Sequence, residues 1–189
     1  PFFLHNVFGH DTRMFIGDGG TLVFGTMMSM FVISILSSKS PCAPYVTDGI
    51  GLVPFVLAVF AIPVFDTIRV MTMRIIHGKS PFSPDKTHLH HLFIDLGFSH
   101  TGTTLSILFL NALIIVAWFI AYSSGASIDL QFYIVFAMSF TATFILYKYA
   151  SDQIKKNGKC LAALQKIGRI MHFEKKGIWL KVQRIVDKF

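Results

Sequence analysis

Charge is scarce in this chain and cysteine nearly so: Asp, Glu, Lys and Arg make up 14% of its 189 residues, and Cys42 and Cys160 are its two thiols. Two cysteines so far apart, with no CxxC pattern, exclude a disulfide framework and a cysteine-based zinc site, and both read as small side chains. A secretory signal is also missing, because Pro1 to Phe8 has neither a basic start nor a cleavage site. With Pro rather than Met in first position, the sequence reads as the continuation of a longer chain. Internal repeats and low-complexity stretches are absent as well. Set against this, 53% of the residues are hydrophobic and 20 are Phe. A soluble core of this size could not hide so much apolar surface, which leaves a membrane protein.

The apolar residues fall into four long segments, at about 21–36, 50–73, 104–122 and 130–147. Crossing the hydrocarbon core takes roughly 20 mostly apolar residues, so each is read as a transmembrane helix, the first being the shortest. Ser29 and Ser34 in that first segment can bond back to their own helix. Pro54 and Pro63 lie within the second, where each removes a backbone donor, and a kinked or broken helix is expected. The aromatics of this segment, including Phe55, Phe60 and Phe65, are read as lipid-facing, although a groove for an isoprenoid chain would carry the same pattern.

The net charge of +7 is unevenly placed: residues 148–189 hold eleven Lys and Arg against three acids, and residues 1–147 hold six against seven. A basic tail directly after an apolar span is read as facing the anionic cytoplasmic leaflet rather than nucleic acid. Arg74, Lys79 and Lys86 mark the loop at 74–103 as cytoplasmic too, whereas the loops at 37–49 and 123–129 offer only Lys39. The expected architecture is therefore an all-α, polytopic transmembrane helical bundle. Residues 1–149 comprise about four spans plus the end of an earlier one, with residues 5–20, 74–103 and 148–189 inside. Residues 150–189 form a basic cytoplasmic tail in which Leu161, Leu164, Ile167, Ile170 and Met171 recur at helical spacing, with a break near Gly177.

Three places carry residues suited to chemistry. Asp18 sits among Gly17, Gly19 and Gly20 just ahead of the first span. Glycines let a backbone approach a ligand, and Mg²⁺ is commonly held by one or two carboxylates plus substrate phosphates. Equally, an Asp in that position can simply cap a helix. In the longer cytoplasmic loop, His88, His90 and His91 crowd three imidazoles into four positions. The spacing is poor for zinc, and donation to phosphate oxygens is the better use, against the plain alternative of an exposed polar loop. Asp66 lies inside an apolar helix with Arg69 one turn on. An ionisable residue at membrane depth is a functional candidate, but an i, i+3 ion pair anchoring the helix end is the favoured reading.

At these residues the sequence resembles the polyprenyl-phosphate N-acetylhexosamine-1-phosphate transferases. Three blocks in the family's order carry the resemblance. The first is Phe3-Leu4-His5-Asn6 followed by Arg13-Met14-Phe15-Ile16-Gly17-Asp18-Gly19-Gly20-Thr21. The second is Pro63-Val64-Phe65-Asp66 with Arg74. The third runs from Gly78-Lys79-Ser80-Pro81 through Pro84-Asp85-Lys86-Thr87 to His88-Leu89-His90-His91. Roughly the first 150 residues are covered, and the basic tail is expected to lie outside.

The resemblance implies that Asp18 is the metal-associated, catalytic aspartate, with Mg²⁺ as cofactor and Mn²⁺ as a substitute. It implies that Asn6 lies near nucleotide and metal, that His88, His90 and His91 bind the donor's phosphates, and that Arg74 belongs to the substrate site. The expected reaction is transfer of an N-acetylglucosamine-type sugar 1-phosphate from a UDP-sugar to undecaprenyl phosphate, releasing UMP, at the cytoplasmic face of a bacterial inner membrane. The family's Asp-Asp pair belongs to an N-terminal half not found here, so this chain by itself is expected not to turn over. A homodimer is left open. Competing readings are a transporter segment, which would place its polar groups at mid-membrane, and a non-catalytic membrane subunit whose histidine loop binds a partner.

Overall fold

The computed structural model describes residues 17–37, 51–83, 87–156, 161–170 and 177, and all regular structure among them is helical. In chain order the helices are α1 (Gly17–Leu36), α2 (Leu52–Val59), α3 (Ala61–Ile76), α4 (Leu89–Asp95), α5 (His100–Ser123), α6 (Ile128–Phe140), a π-helical turn (Thr141–Ile145), α7 (Leu146–Lys156) and α8 (Leu161–Ile170). Three stretches are long and apolar enough to cross a membrane: 19–36, 100–123 and 128–156. The pair α2 and α3 meets the same test as one broken element, which brings the number to the expected four.

The break is sharp, with the axes of α2 and α3 meeting at 74°. Pro63 has no N–H to give the carbonyl of Val59, four residues back, so the helical ladder fails there. Asn111, on α5, repairs the gap. Its Nδ2 donates to the Val59 carbonyl (2.9 Å) and, at 3.4 Å, to that of Ala58, while its Oδ1 accepts from the Ile62 amide at 3.1 Å. Pro54 does not bend the chain. It lies in the first turn of α2, where its missing N–H has no intrahelical partner to lose.

The core is built where α2, α3, α5 and α6 meet, around Ala58, Ala61, Ile62, Ile114, Trp118 and Val135. A large polar side chain, Gln131, is sealed inside it. Gln131 is fully buried, accepting from Trp118 Nε1 (3.2 Å) and the Gly51 amide (3.4 Å) and donating to the Ala126 carbonyl (2.9 Å). Without water to compete, such a group stays inside only when its donors and acceptors are met. Ser99 and Ser127 start α5 and α6 in the usual way, their hydroxyls accepting from the amides of Gly102 and Leu130.

Two expectations about aromatic placement are corrected. Phe65 is buried and meets Phe136 of α6 edge to face at 5.2 Å, and half-buried Phe55 packs on Trp118 at 5.0 Å. Both lie on the inner stripes of the broken helix rather than toward lipid, because the same helical phase that buries Ala58, Ala61 and Ile62 turns them inward. Phe60 lines an apolar cavity of about 430 Å³ between α1 and α2, beside Met28, Val32 and Val56. By contrast α1 is exposed around most of its surface, and its Thr26 and Ser29 hydroxyls donate back to the carbonyls of Leu22 and Gly25, satisfying themselves within the helix.

The last long helix runs from Ile128 to Lys156, past both ends of the apolar segment at 130–147. Within it, the π-helical turn widens the ladder around Thr143, which is fully buried and donates to the Ser139 carbonyl at 2.8 Å. Beyond this span, α8 docks back on the bundle. Gly168 is buried against the turn after α4, where an added Cβ would lie 2.6 Å from the Leu96 carbonyl oxygen. Leu161 and Leu164 pack on the core while Ile167 and Ile170 stay exposed, so two of the four described residues of the expected apolar stripe are used in docking. The expected break near Gly177 falls largely outside the described residues.

Candidate functional site

The site is assembled where α3 runs into the histidine-bearing loop. Helix α3 stops at His77 because Gly78 follows with φ +68°, a backbone region that suits glycine. The Gly78 amide then bonds to the Ile75 carbonyl and the Lys79 amide to that of Arg74 (2.9 Å each), a Schellman closure. Arg74 holds the loop that departs, its Nη1 donating to the Pro81 carbonyl. The chain returns at Thr87 and His88 to begin α4, which ends at Gly97, φ +88°, through the same kind of closure.

Asp66 is the centre of the arrangement. Its carboxylate is largely buried and accepts from three directions: Arg69 Nη2 to Oδ1 at 2.6 Å, His88 Nδ1 to Oδ2 at 3.0 Å, and the Leu89 amide to both oxygens at 3.2 Å. Arg69, 3% exposed, extends the link by donating to the Thr87 carbonyl, and its guanidinium lies over the Tyr147 ring at 3.5 Å. The favoured reading of Asp66 and Arg69 as an i, i+3 ion pair holds. What spacing alone missed is that the same carboxylate grips the loop 22 residues downstream. A carboxylate bound to Nδ1 fixes which face of His88 is turned outward, leaving Nε2 as the nitrogen for a ligand.

The other two imidazoles lie alongside. The rings of His88 and His90 are nearly parallel with centroids 5.9 Å apart, and those of His90 and His91 are 4.1 Å apart. Partial desolvation, then the neighbouring His91 and His88, hold His90 below the ordinary imidazole value, with Asp66 opposing.

The structure thus unites His88, His90 and His91 with Asp66 and Arg69, and places Arg74 at the root of the same loop. Asp18 lies within the first turn of α1 rather than ahead of the helix. Asn6 lies outside the described residues. Among the described residues no three His, Cys, Asp or Glu side chains are grouped to hold a metal. Asp66 is committed to Arg69, His88 and the Leu89 amide.

Fold and loop together define a polytopic, all-α membrane protein with an imidazole cluster at one end of its bundle. Its curated relatives are polyprenyl-phosphate N-acetylglucosamine-1-phosphate transferases. The chain is similar to the decaprenyl-phosphate N-acetylglucosaminephosphotransferase of Mycolicibacterium smegmatis, at 36% identity over 109 residues, 56% of this chain and 26% of that protein. It is also similar to the undecaprenyl-phosphate alpha-N-acetylglucosaminyl 1-phosphate transferases of Pasteurella multocida and Salmonella typhi. Each is 26% identical, over 91% and 93% of this chain and 45% and 44% of the respective relative. The chain therefore spans less than half the length of these relatives. A match over 91% of the chain exceeds residues 1–149, so the likeness reaches into the basic tail, which corrects the expectation that the tail stands outside it. No family model matches, and no solved structure matches.

Proposed function

We propose that this chain supplies the donor-phosphate side of a transferase that moves an N-acetylglucosamine-type sugar 1-phosphate from a UDP-sugar onto undecaprenyl phosphate, releasing UMP. The observation that carries the reading is the Asp66 anchor: a buried carboxylate is used to present His88, and with it His90 and His91, as a rigid set of donors. Rigid donors suit phosphoryl transfer, where positioning and charge stabilisation account for most of the acceleration. His88 Nε2, which donates only when the ring carries both protons because Nδ1–H is given to Asp66, and the rings of His90 and His91 would hold the non-transferred oxygens of the donor's pyrophosphate. Arg74 would keep the loop in register with α3.

Asp18 would hold Mg²⁺, or Mn²⁺ in its place, a role that agrees with its carboxylate and with three neighbouring glycines. When bound, the cation offsets charge gathering on the leaving UMP. Asn6 would stand near the nucleotide. The active face is the cytoplasmic face of a bacterial inner membrane, in keeping with a soluble nucleotide donor and with the basic residues on that side. The ionisable groups of the candidate site lie at one end of the bundle rather than at its middle, which disfavours a transporter.

The test is UMP release by an active protein that carries this chain. Asp18→Asn is expected to abolish the Mg²⁺-dependent reaction while leaving the protein folded, and unchanged turnover would remove Asp18 from the metal site.

A further inference from the structure

The C-terminal ends of α3 and α7 lie side by side, and between them is a second cationic place. An inner cavity of about 320 Å³ is lined by Arg69, Arg74, Lys79 and Lys155, with no carboxylate among its described lining residues. It runs into an outer cavity of about 710 Å³, shared at Arg69 and Lys155 and otherwise walled mainly by apolar and aromatic side chains, Phe140 and Phe144 among them. Lys148 and Asp152 line the outer cavity only and offset each other, whereas Arg74 and Lys79 line the inner one only, so the larger excess of positive charge is in the inner cavity. Arg69 faces both, and its buried Nε has no hydrogen-bond partner among the described residues. An unmet donor on a buried guanidinium is costly, and it adds to the uncompensated positive character of Arg69.

None of His88, His90 and His91 lines either cavity. The Asp66–Arg69 pair stands between them, its carboxylate turned to His88 and its guanidinium to the cavities. An anion held here is therefore separate from the phosphates of the proposed donor. The position at the basic end of a span, with an apolar trough leading away from it, matches a molecule lying in the leaflet with its phosphate at the surface.

We infer that this paired cavity binds an anionic phospholipid of the surrounding bilayer, its phosphate among Arg69, Lys79 and Lys155 and an acyl chain along Phe140 and Phe144. Through Arg69 such a lipid braces the Thr87 end of the histidine-bearing loop, making loop order depend on membrane charge.

The experiment is native mass spectrometry and thermal unfolding of the purified full chain in neutral detergent. Four probes are titrated: phosphatidylglycerol, phosphatidylcholine, undecaprenyl phosphate and inorganic phosphate. Phosphatidylglycerol is expected to bind and to raise the unfolding temperature, with the other three weaker. In Lys79→Ala/Lys155→Ala its affinity is expected to fall about thirtyfold, each lysine near the surface contributing about fivefold. Lys156→Ala, which removes the same charge from a residue lining neither cavity, is expected to leave binding unchanged. Equal binding of phosphatidylcholine would reduce the cavity to an apolar groove. Stronger binding of undecaprenyl phosphate would make it an acceptor site, and equal binding of inorganic phosphate would show that no lipid is required. Each of these, or a double variant that binds as the parent does, overturns the assignment.

Discussion

Replacing Asp66 by Leu, which shares its branching but is larger, removes one negative charge and the acceptor for Arg69, His88 and the Leu89 amide together. Arg69 is 3% exposed, so the variant strands a buried cation whose remaining partners are the Thr87 carbonyl and the Tyr147 ring. Breaking a buried pair from one side costs about 3–5 kcal/mol, and this range sets the expected loss in Asp66→Leu. Adding Arg69→Met removes the stranded cation. The double variant should regain most of that loss, because a buried ion pair exchanged for apolar groups of similar size is often neutral. The Leu89 amide still lacks its acceptor, which keeps about 1–3 kcal/mol missing.

The assay is reversible unfolding in mixed micelles for the parent, both single variants and the double. A second readout is the carbethoxylation rate of His88 by diethylpyrocarbonate, followed by peptide mass. In the double variant stability returns but His88 reacts faster, because nothing holds its Nδ1. Equal stability of Asp66→Leu and parent, or an unchanged His88 rate in the double variant, would refute the anchor.

Asn111→Leu should cost about 1–3 kcal/mol for the stranded Val59 carbonyl and Ile62 amide, and increase hydrogen exchange at Ile62 specifically. Gly168→Ala must push its Cβ against the Leu96 carbonyl; about 1–3 kcal/mol of overpacking is expected, seen as earlier proteolysis within α8 while the spans stay protected. His90 is held below the ordinary imidazole value, so its folded form favours the neutral ring; its contribution to stability is complete above the ordinary value and declines as pH falls through it. A bound phosphate reverses the preference. UDP affinity, measured by calorimetry on an active protein carrying this chain, should therefore strengthen from pH 7.5 to 6 with proton uptake, and the slope should shrink in His90→Gln. A slope equal to the parent's would take His90 out of the phosphate site.

The spans were legible because length and hydropathy are properties of a segment by itself. Pro63 likewise announced a break, since the donor it lacks is a local fact. Its partner was not legible: Asn111 lies 49 residues from Ile62, and nothing in the pattern of α5 tells a structural amide from an idle one. The same limit applies at the site. The spacing of Asp66 and Arg69 revealed an ion pair, but the carboxylate's hold on His88 and the Leu89 amide depends on how the loop folds back. Phe65 was misplaced because aromatic content records hydrophobicity and not direction; the phase of Ala58, Ala61 and Ile62, small or aliphatic residues on the same stripes, was the signal that would have turned it inward. The π-helical turn gave no sign, having neither Pro nor Gly between Thr141 and Ile145.

That widened turn acts as a clocking device for the end of the last span. Each residue of an α-helix advances the azimuth by about 100°, so one extra residue taken up in a π turn resets every side chain beyond it. Tyr147, Ser151 and Lys155 form a stripe four residues apart, and all three face α3. Restoring an ordinary ladder between 141 and 145 at unchanged chain length would swing the whole stripe about 100° aside, leaving Arg69 with no ring above it, whereas deleting one residue there would keep the stripe in place. A change of winding invisible to hydropathy would uncouple the two helices without touching either of their sequences at the point of contact.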